Sequence, residues 1–494
     1  MMRSMRRGEG QLGRWVPTLA FVALFLSRST APALASDTGV GARPRSAELQ
    51  KALLRAVAVQ HFEEVVEFGP VEDACPGSSW CPRAARRIAH VPNIDLAVIE
   101  LDRSGRPTAA ADVLISRDYP DGVAVRIGRD LGTEAVRWRR WNTDRWNGGT
   151  FSETDGSRLT TVGWADNPPF TADDDIVPGR QDAPIEFMEP YPASVFKLLI
   201  AFHTLRLVDA GEMELDRPYV YTPADGTPPV SRSSRQWLDK MITESDNDSA
   251  KALIKQLHDR DEMDHLNEEL RDLGLGTLQV RGTDPVTGGR WGVGDITLTS
   301  LDTARLLLIV NGSPGTLWRT PEGREVRADV LSPRSRRLLK RMLAQQGWND
   351  ILSTSNWCGR EYPQQGIRST VAARWVDPET GTVTVAEKNF GQDVRPCNAR
   401  ADVEFAHKTG FTYNFLADAG IVDSRPGRPP RHFIVAMLSN LGYRYADARF
   451  ARAKRAPCAD PDGVCYTEKF AGLGRAVASQ MGPAAKGERD RRSD

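Results

Sequence analysis

Three short motifs in this chain carry the side chains that acyl transfer at a serine requires. In chain order they are Ser194-Val195-Phe196-Lys197, Ser245-Asp246-Asn247 and Lys408-Thr409-Gly410. The first supplies a hydroxyl nucleophile with an amine three residues later. The second adds another hydroxyl and a carboxamide, and the third adds a cation on strand-like sequence. Since a serine hydroxyl is a weak nucleophile until a base removes its proton, the set predicts a serine enzyme that forms an acyl intermediate.

The first motif predicts both the nucleophile and its base. Lys197 lies one helical turn after Ser194, so its amine returns to the same face as the hydroxyl. A lysine accepts a proton at neutral pH only if its pKa is lowered, and burial or a second cation has that effect. Lys408 is the candidate for the second cation. The start of a helix also favours the negative charge that develops during acyl transfer.

The other two motifs predict substrate contacts and a proton relay. Ser245 is expected to pass a proton toward the leaving nitrogen, and Asn247 to donate a side-chain N–H to a substrate amide carbonyl. Lys408 and Thr409 are expected to hold a substrate carboxylate, because charge-assisted hydrogen bonds to carboxylates are strong.

The elements that must position these residues follow from hydrophobic periodicity. The stretch 194–209 is apolar all round, which is typical of a helix buried at the centre of a domain. Further helices are expected at 46–66, 246–257, 262–273, 300–310, 333–344 and 467–481, and strands at 94–101, 414–423 and 432–439. Helices between one early strand and a late hairpin predict an α+β fold, in which helices cover a single antiparallel sheet.

Two segments fit this pattern poorly and are predicted to be insertions, at about 105–185 and 345–400. The first contains short strand-like runs and an Arg/Trp-rich stretch from Arg137 to Trp146. That stretch is expected either to stack on a sugar polymer or simply to pack within the insertion. The second is predicted to contain a hairpin around residues 377–381.

The two ends of the chain are expected to lie outside the folded domain. Arginines, the apolar run 15–26 and Ala33-Leu34-Ala35 predict a signal peptide over 1–35 that is cleaved near Ala35. The apolar run is too short to span a membrane comfortably. Arg6-Arg7 leaves twin-arginine export as an alternative to ordinary secretion. One domain is predicted over 46–481, followed by a charged, disordered tail at 482–494.

Six cysteines are predicted to form disulfides, because an exported protein matures in an oxidising compartment. Their order suggests three pairs of sequence neighbours, among the 15 connectivities that six cysteines allow. The pairs are Cys75–Cys81, Cys358–Cys397 and Cys458–Cys465. Free buried thiols are the alternative.

The composition excludes some partners. Lys+Arg and Asp+Glu both number 65, so the formal net charge is zero and bulk electrostatics indicate no nucleic-acid or membrane-surface partner. No Cys/His cluster has zinc-ligand spacing. We expect a monomer that needs neither metal nor cofactor.

The three motifs together resemble those of the serine β-lactamase and penicillin-binding protein superfamily. The stretch 242–247, followed by an apolar helix, is most similar to class A β-lactamases. The resemblance covers about 186–345 and 400–480. It implies an α/β/α sandwich with a mostly helical subdomain, a covalent acyl-enzyme, and a β-lactam or a peptidoglycan stem peptide as the small-molecule partner. Antibiotic resistance and β-lactam catabolism are the corresponding biological roles.

The resemblance also implies roles for two residues outside the motifs. The oxyanion hole would use the backbone N–H groups of Ser194 and Phe411. The deacylating Glu-Pro pair of class A enzymes becomes Asp284-Pro285, with Gly288 where the family has asparagine. Asp284 is one methylene shorter than glutamate, so it is expected either to hold the hydrolytic water or to be an ordinary turn residue.

Three functions therefore agree with the motifs. The first is a secreted β-lactamase, the second is a D-alanyl-D-alanine carboxypeptidase or other penicillin-binding enzyme, and the third is a non-hydrolytic β-lactam or peptidoglycan receptor. The behaviour of Asp284 distinguishes them, because a working base predicts repeated turnover and a failed one predicts a trapped acyl-enzyme.

Overall fold

The computed structural model describes residues 44–67, 86–88, 90–141, 171–360, 363–412, 414–443, 445–450 and 469–481. The predicted signal peptide, the cysteines at 75, 81, 458 and 465, and the tail at 482–494 lie outside these residues. Nine helices are described: α1 (Pro44–Ala58), α2 (Lys197–Ala210), α3 (Ser234–Thr243), α4 (Asn247–His258), α5 (Glu262–Asp272), α6 (Ser300–Asn311), α7 (Pro333–Ala344), α8 (Arg395–Arg400) and α9 (Lys469–Gln480). Among these helices, none combines the length and apolar content needed to cross a bilayer.

The described strands include six that form one central sheet and thirteen short ones. In chain order they are β1 (Val65–Glu67), β2 (Arg86–Arg87), β3 (Ile94–Leu101), β4 (Pro107–Ser116), β5 (Tyr119–Ala124), β6 (Val136–Arg139), β7 (Ile185–Met188), β8 (Pro218–Tyr221), β9 (Val230–Ser233), β10 (Gln279–Val280), β11 (Ile296–Thr297), β12 (Thr316–Arg319), β13 (Glu325–Arg327), β14 (Thr382–Val385), β15 (Lys388–Asp393), β16 (Val403–Phe411), β17 (Leu416–Ser424), β18 (His432–Ser439) and β19 (Tyr445–Asp447).

The central sheet is antiparallel and runs in the order β16-β17-β18-β3-β4-β5. The early strand β3 pairs with the late strand β18, Ala97 opposite Ala436, so the two ends of the domain meet in the middle of the sheet. The strand β16, which carries Lys408-Thr409-Gly410, lies at one edge. The predicted α+β fold with one antiparallel sheet is confirmed.

Apolar side chains on both faces of the sheet explain why helices cover it twice. Successive residues of a strand point to opposite faces. Ala97 and Ile99 enter a core that includes residues of α2, α6 and α7. Leu96 and Val98 enter a second core with residues of α1 and α9. This arrangement is the expected α/β/α sandwich.

Helices α2 to α5 form the mostly helical part beside the sheet. In α2, every residue from Lys197 to Leu205 is buried, as the all-round apolar pattern predicts. The helix ends at Gly211, whose left-handed φ of 79° is a conformation that glycine adopts without a Cβ clash. The predicted buried helix after Ser194 is confirmed.

The first predicted insertion begins too early. Residues 107–124, which fall inside it, form the sheet strands β4 and β5. The sequence signal is weak there because β4 is rich in alanine, a poor strand former, and β5 holds Asp121 and Gly122.

The Arg/Trp stretch packs within the protein over its described part. Trp138 is buried and contacts Phe187 edge-on, with ring centroids 5.9 Å apart. Arg139 is fully buried and pairs with Asp175 at 2.6 Å. The packing alternative is therefore confirmed for 137–141, and the remainder of the stretch lies outside the described residues.

The second predicted insertion is an ordered part of the fold, and its apolar side chains pack into the second core. Ile351, Leu352 and Trp357 are buried there. Val376 pairs antiparallel with Val383 across the predicted turn at 377–381, so the expected hairpin is present. Cys358 and Cys397 form a disulfide with their Cα atoms 6.0 Å apart, which confirms that pair.

Three buried carboxyl groups meet between the sheet and the segment before Ser194. They belong to Asp95, Asp112 and Glu189, and Asp95 also accepts the backbone N–H of Ser300 at 2.7 Å. Burial raises the pKa of Asp95 to about 6. Burial and then the charge of Asp95 raise the pKa of Asp112 and of Glu189 well above their usual values. The folded protein therefore holds protons here that the unfolded chain releases near pH 4.

The free energy of unfolding is expected to fall less with rising pH in Glu189→Gln than in wild type. Groups with raised folded pKa values stabilise the protein fully below the unfolded pKa, and this contribution is lost as pH rises through the folded values. A neutral amide removes one of the titrating groups. Urea unfolding from pH 5 to 9 measures the change, with the half-exposed Glu186→Gln as control. Parallel pH profiles for wild type and Glu189→Gln would contradict the expectation.

Candidate active site

Ser194 lies in a short 3-10 turn, Ala193–Phe196, that leads directly into α2. The turn begins with Ala193 at a φ of 45°, a left-handed conformation that costs energy for a non-glycine residue. Val195 and Phe196 are buried in the core, whereas Ser194 is half-buried. Burial of its neighbours therefore fixes the turn while the nucleophile stays accessible.

Lys197 is fully buried, and its ammonium group is held from the second motif. Its Nζ donates to the backbone oxygen of Ser245 at 2.7 Å and to Oδ1 of Asn247 at 2.7 Å. Burial is the main cause that lowers the pKa of Lys197 to about 7, and the nearby cation that adds to it is Lys251. The charges of Lys197 and Lys408 also act on each other, so Lys251 is a cation in addition to the predicted Lys408.

Ser245 lies in the tight connection between α3 and α4, and Asn247 is the first residue of α4. Asp246 caps the start of α4, because its carboxylate accepts the backbone N–H of Ser249 at 2.8 Å. Ser245 has a left-handed φ of 61°. Asn247 uses its Oδ1 to accept from Lys197, which leaves its amide N–H groups to donate to a substrate carbonyl.

Lys408 connects the third motif to the second. It is fully buried on β16, and its Nζ donates to Oγ of Ser245 at 2.8 Å and to the backbone oxygen of Thr409 at 2.7 Å. Burial, followed by the charge of Lys197, lowers the pKa of Lys408 well below its usual value. The charges of the two buried lysines therefore oppose each other.

Gly410 places β16 directly against the turn that carries the nucleophile. A Cβ atom at this position would lie 2.6 Å from the backbone oxygen of Pro192 and 2.7 Å from the backbone nitrogen of Ser194. Real side chains do not approach this closely, so the contact requires glycine. The three motifs are therefore joined by direct contacts.

Thr409 and Phe411 flank this contact on the same strand. Within the described part of the chain, the buried Thr409 hydroxyl has no hydrogen-bond partner. Since buried polar groups normally find partners, this hydroxyl keeps unused hydrogen-bonding capacity beside the nucleophile. Phe411 ends β16 and is half-buried.

Asp284 lies in a turn of the loop between β10 and β11. Its Oδ1 accepts the backbone N–H groups of Val286 at 2.8 Å and Thr287 at 2.9 Å. These bonds, that of Thr287 first, lower the pKa of Asp284. The charged groups that act on Lys197 are Asp246 and Lys251. The carboxylate of Asp284 thus stabilises its own turn, and its predicted role in deacylation stays a prediction.

Two tryptophans beside the motifs had not been predicted. The ring of Trp291 lies 5.6 Å from Nζ of Lys197 and 5.2 Å from the ring of Phe196, so it shields the lysine from water. Trp348 donates its Nε1 hydrogen to the backbone oxygen of Glu244 at 2.7 Å. Each belongs to a segment of weak periodicity, and only the rarity of tryptophan in such segments could have indicated a role.

Comparison with known proteins agrees with the resemblance that the motifs indicated. Residues 188–368 match the sequence model of the β-lactamase enzyme family, which confirms the resemblance to serine β-lactamases and penicillin-binding proteins for this part of the chain. The matched residues contain the first two motifs, and the third lies beyond them. Comparison with curated protein sequences gave no match.

Solved structures give weaker likenesses. A PBP-A variant in an acyl-enzyme complex with penicillin G is 16% identical, with a TM-score of 0.40 over 88% of this chain and 96% of that one. A β-lactamase from Chitinophaga pinensis is 16% identical, with a TM-score of 0.34 over 59% of this chain and 83% of that one. These TM-scores are below 0.5, so the fold assignment rests on the sheet order and layers described above.

Proposed function

From the match of residues 188–368 to the β-lactamase enzyme family, we propose that the protein is a serine hydrolase that opens β-lactam rings through an acyl-enzyme at Ser194. The observation that carries the proposal is the buried Lys197, whose pKa is lowered to about 7 by burial. A lysine with this pKa is largely neutral at pH 7.5 and can accept the proton of the serine hydroxyl.

Acylation then proceeds by one bond made and one broken. Oγ of Ser194 attacks the ring carbonyl carbon while its proton passes to Nζ of Lys197. The negative charge that forms on the carbonyl oxygen faces the backbone N–H groups of Ser194 and Phe411, which lie on the two elements that Gly410 holds together. The carbon–nitrogen bond of the ring breaks, and the acyl group remains on Ser194.

The leaving nitrogen needs a proton, and Ser245 is the donor that the site offers. Its hydroxyl gives a proton to the nitrogen, and Lys408, which donates to the same oxygen over 2.8 Å, supplies the replacement. The second-motif hydroxyl and the third-motif cation thus work as one relay. When water hydrolyses the acyl-enzyme and restores the Ser194 hydroxyl, Lys197 releases its proton to solvent and Lys408 regains one from solvent, so both lysines return to their starting state.

The substrate is held by the groups that stay available around the serine. The N–H groups of Asn247 and the unpartnered hydroxyl of Thr409 fit an amide carbonyl and a carboxylate, respectively. A small molecule with both features, such as a β-lactam or a peptide that ends in D-alanine, matches this pattern. The predicted signal peptide over 1–35 supports the further proposal that the protein acts after export from the cytoplasm.

Asp284→Asn is expected to slow hydrolysis of the acyl-enzyme by roughly 10²-fold, because removal of a general base has effects of this size. Acylation should change less than about 3-fold, since the charged groups that act on Lys197 are Asp246 and Lys251. Stopped-flow acylation and the decay of the adduct mass measure the two steps separately. The introduced carboxamide would still offer an oxygen to the turn, so the loop should keep its shape.

A second candidate is a penicillin-binding enzyme, such as a D-alanyl-D-alanine carboxypeptidase, that acylates and deacylates slowly. The observation that favours it is the turn at Asp284, because the hydrogen bonds to Val286 and Thr287 make this carboxylate a weaker base. Equal adduct lifetimes in wild type and Asp284→Asn would favour this candidate over rapid hydrolysis.

Incubation of the protein with a chromogenic cephalosporin, followed by colour and by intact mass, tests the proposal. Repeated turnover supports the hydrolase. A persistent adduct at Ser194 supports the slow enzyme or a β-lactam receptor. No reaction with a β-lactam or with a D-alanyl-D-alanine peptide would contradict all three.

A further inference from the structure

A four-residue segment after α7, which we call the bridging segment, binds the end of α3. It consists of Gln346, Gly347, Trp348 and Asn349. Its first three residues donate hydrogen bonds to three successive backbone oxygens. The bonds run from Nε2 of Gln346 to Ile242 at 2.8 Å, from the backbone nitrogen of Gly347 to Thr243 at 2.8 Å, and from Nε1 of Trp348 to Glu244 at 2.7 Å.

These bonds fall where the backbone most needs partners. The last carbonyl groups of a helix have no acceptor role within it and must bind other donors. Glu244 also directly precedes Ser245, whose left-handed φ is 61°. This conformation costs energy for a non-glycine residue, so surrounding contacts must stabilise it. The indole N–H of Trp348 therefore fixes the peptide group that sets the direction of Ser245.

The bridging segment also contacts the strand of the third motif. The rings of Trp348 and Phe411 meet edge-on, with centroids 5.7 Å apart. Oδ1 of Asn349 lies 3.2 Å from Nε2 of His407, the residue before Lys408. One short segment thus touches the residue before Ser245 and both neighbours of the Lys-Thr-Gly motif.

The segment is itself held tightly. Nδ2 of Asn356 donates to the backbone oxygen of Gly347 at 2.7 Å. A Cβ atom at Gly347 would lie 2.6 Å from Cγ1 of Val385, so the hairpin of the second insertion packs against its backbone. Because the bridging segment is fixed in this way, it can set the distance between the Ser245 motif and the Lys408 motif.

We propose that Trp348 is a positioning residue for acylation, which holds Ser245 and the backbone of Phe411 at the separation that the reaction needs. The inference rests on the proposed function for its chemistry. Its structural part, that the indole orders residues 244–247, can be measured without any substrate.

Trp348→Phe is the informative variant, because it removes the N–H donor and keeps an aromatic ring beside Phe411. Trp375→Phe is its matched control. Trp375 lies in the same insertion and also donates its Nε1 hydrogen to a backbone oxygen, that of Gln345 at 2.7 Å. Its half-buried ring lies beside Gly347, but its hydrogen bond goes to the end of α7 rather than to the end of α3. Both variants are compared with wild type by hydrogen–deuterium exchange and by the kinetics of acylation with penicillin G.

In Trp348→Phe we expect faster exchange of the amides at 244–247 and an acylation rate constant about tenfold lower, as loss of one hydrogen bond allows. The concentration for half-maximal rate should change less than about twofold, because the substrate contacts remain. Trp375→Phe should match wild type in both measurements. Thermal unfolding of the two variants separates a local effect from a general loss of stability.

Unchanged exchange at 244–247 in Trp348→Phe would overturn the inference, as would faster exchange with a wild-type acylation rate. Equal changes in both variants would also overturn it, because the effect would then belong to the insertion as a whole. If wild type forms no adduct with penicillin G, the proposed function is wrong, and the exchange result alone decides whether Trp348 orders the loop.

Discussion

Ser194→Ala is expected to abolish the covalent adduct with β-lactams and to lower any turnover by at least about 10⁴-fold, because the acyl group then has no oxygen to bind. The half-buried serine sits in a turn fixed by its buried neighbours Val195 and Phe196, so alanine should not disturb the fold. Intact mass after incubation with penicillin G measures the adduct.

Ser104→Ala is a suitable control for this variant. Ser104 is an exposed serine in the turn between β3 and β4, where its hydroxyl donates to Asp102. The control should be labelled like wild type. Labelling of Ser194→Ala at the wild-type level would show that another residue is the nucleophile and would end the proposed mechanism.

Lys197→Met is expected to slow acylation by roughly 10²- to 10⁴-fold, since a general base contributes about this much. Methionine is apolar and of similar length, so it suits a fully buried position. The pH dependence should change as well. In wild type the neutral, proton-accepting form of Lys197 increases as pH rises through its pKa of about 7, so the acylation rate should rise over the same range. Lys197→Met should lack this rise.

Lys251→Met serves as the control for the pH argument. The charge of Lys251 lowers the pKa of Lys197, so its removal should move the rise in acylation rate to higher pH without removing it. Stopped-flow acylation from pH 5.5 to 9 distinguishes the two variants. A wild-type profile that is flat across pH 7 would exclude Lys197 as the base.

How far the sequence predicted the structure depended on whether a feature was local. The burial of α2 follows from its apolar spacing, and the start of α4 at Asn247 follows from the aspartate cap before it. Both signals lie in residues that are adjacent in the sequence. Strand β4 was misassigned to an insertion because Ala109, Ala110 and Ala111 carry little strand signal, and it becomes a strand only through pairing with β3 on one side and β5 on the other.

The parts of the site that escaped prediction are contacts between distant segments. The motifs identified Ser194, Lys197 and Lys408, but not Lys251, one turn into α4, whose charge also lowers the pKa of Lys197. Trp291 and Trp348 lie in irregular segments, where sequence gives no periodicity to extrapolate. Their roles become visible only when the loops are placed against α2 and α3.

The close approach of Gly410 to Ser194 has a consequence for how the protein matures. The nucleophile and the strand that faces it come from distant parts of the chain, and contacts of this kind form late because the intervening chain must first be ordered. A newly made or partly unfolded molecule would therefore hold an intact serine and no reactive centre. A β-lactam would label only molecules whose sheet is complete, so the labelled fraction over time would measure the rate of refolding.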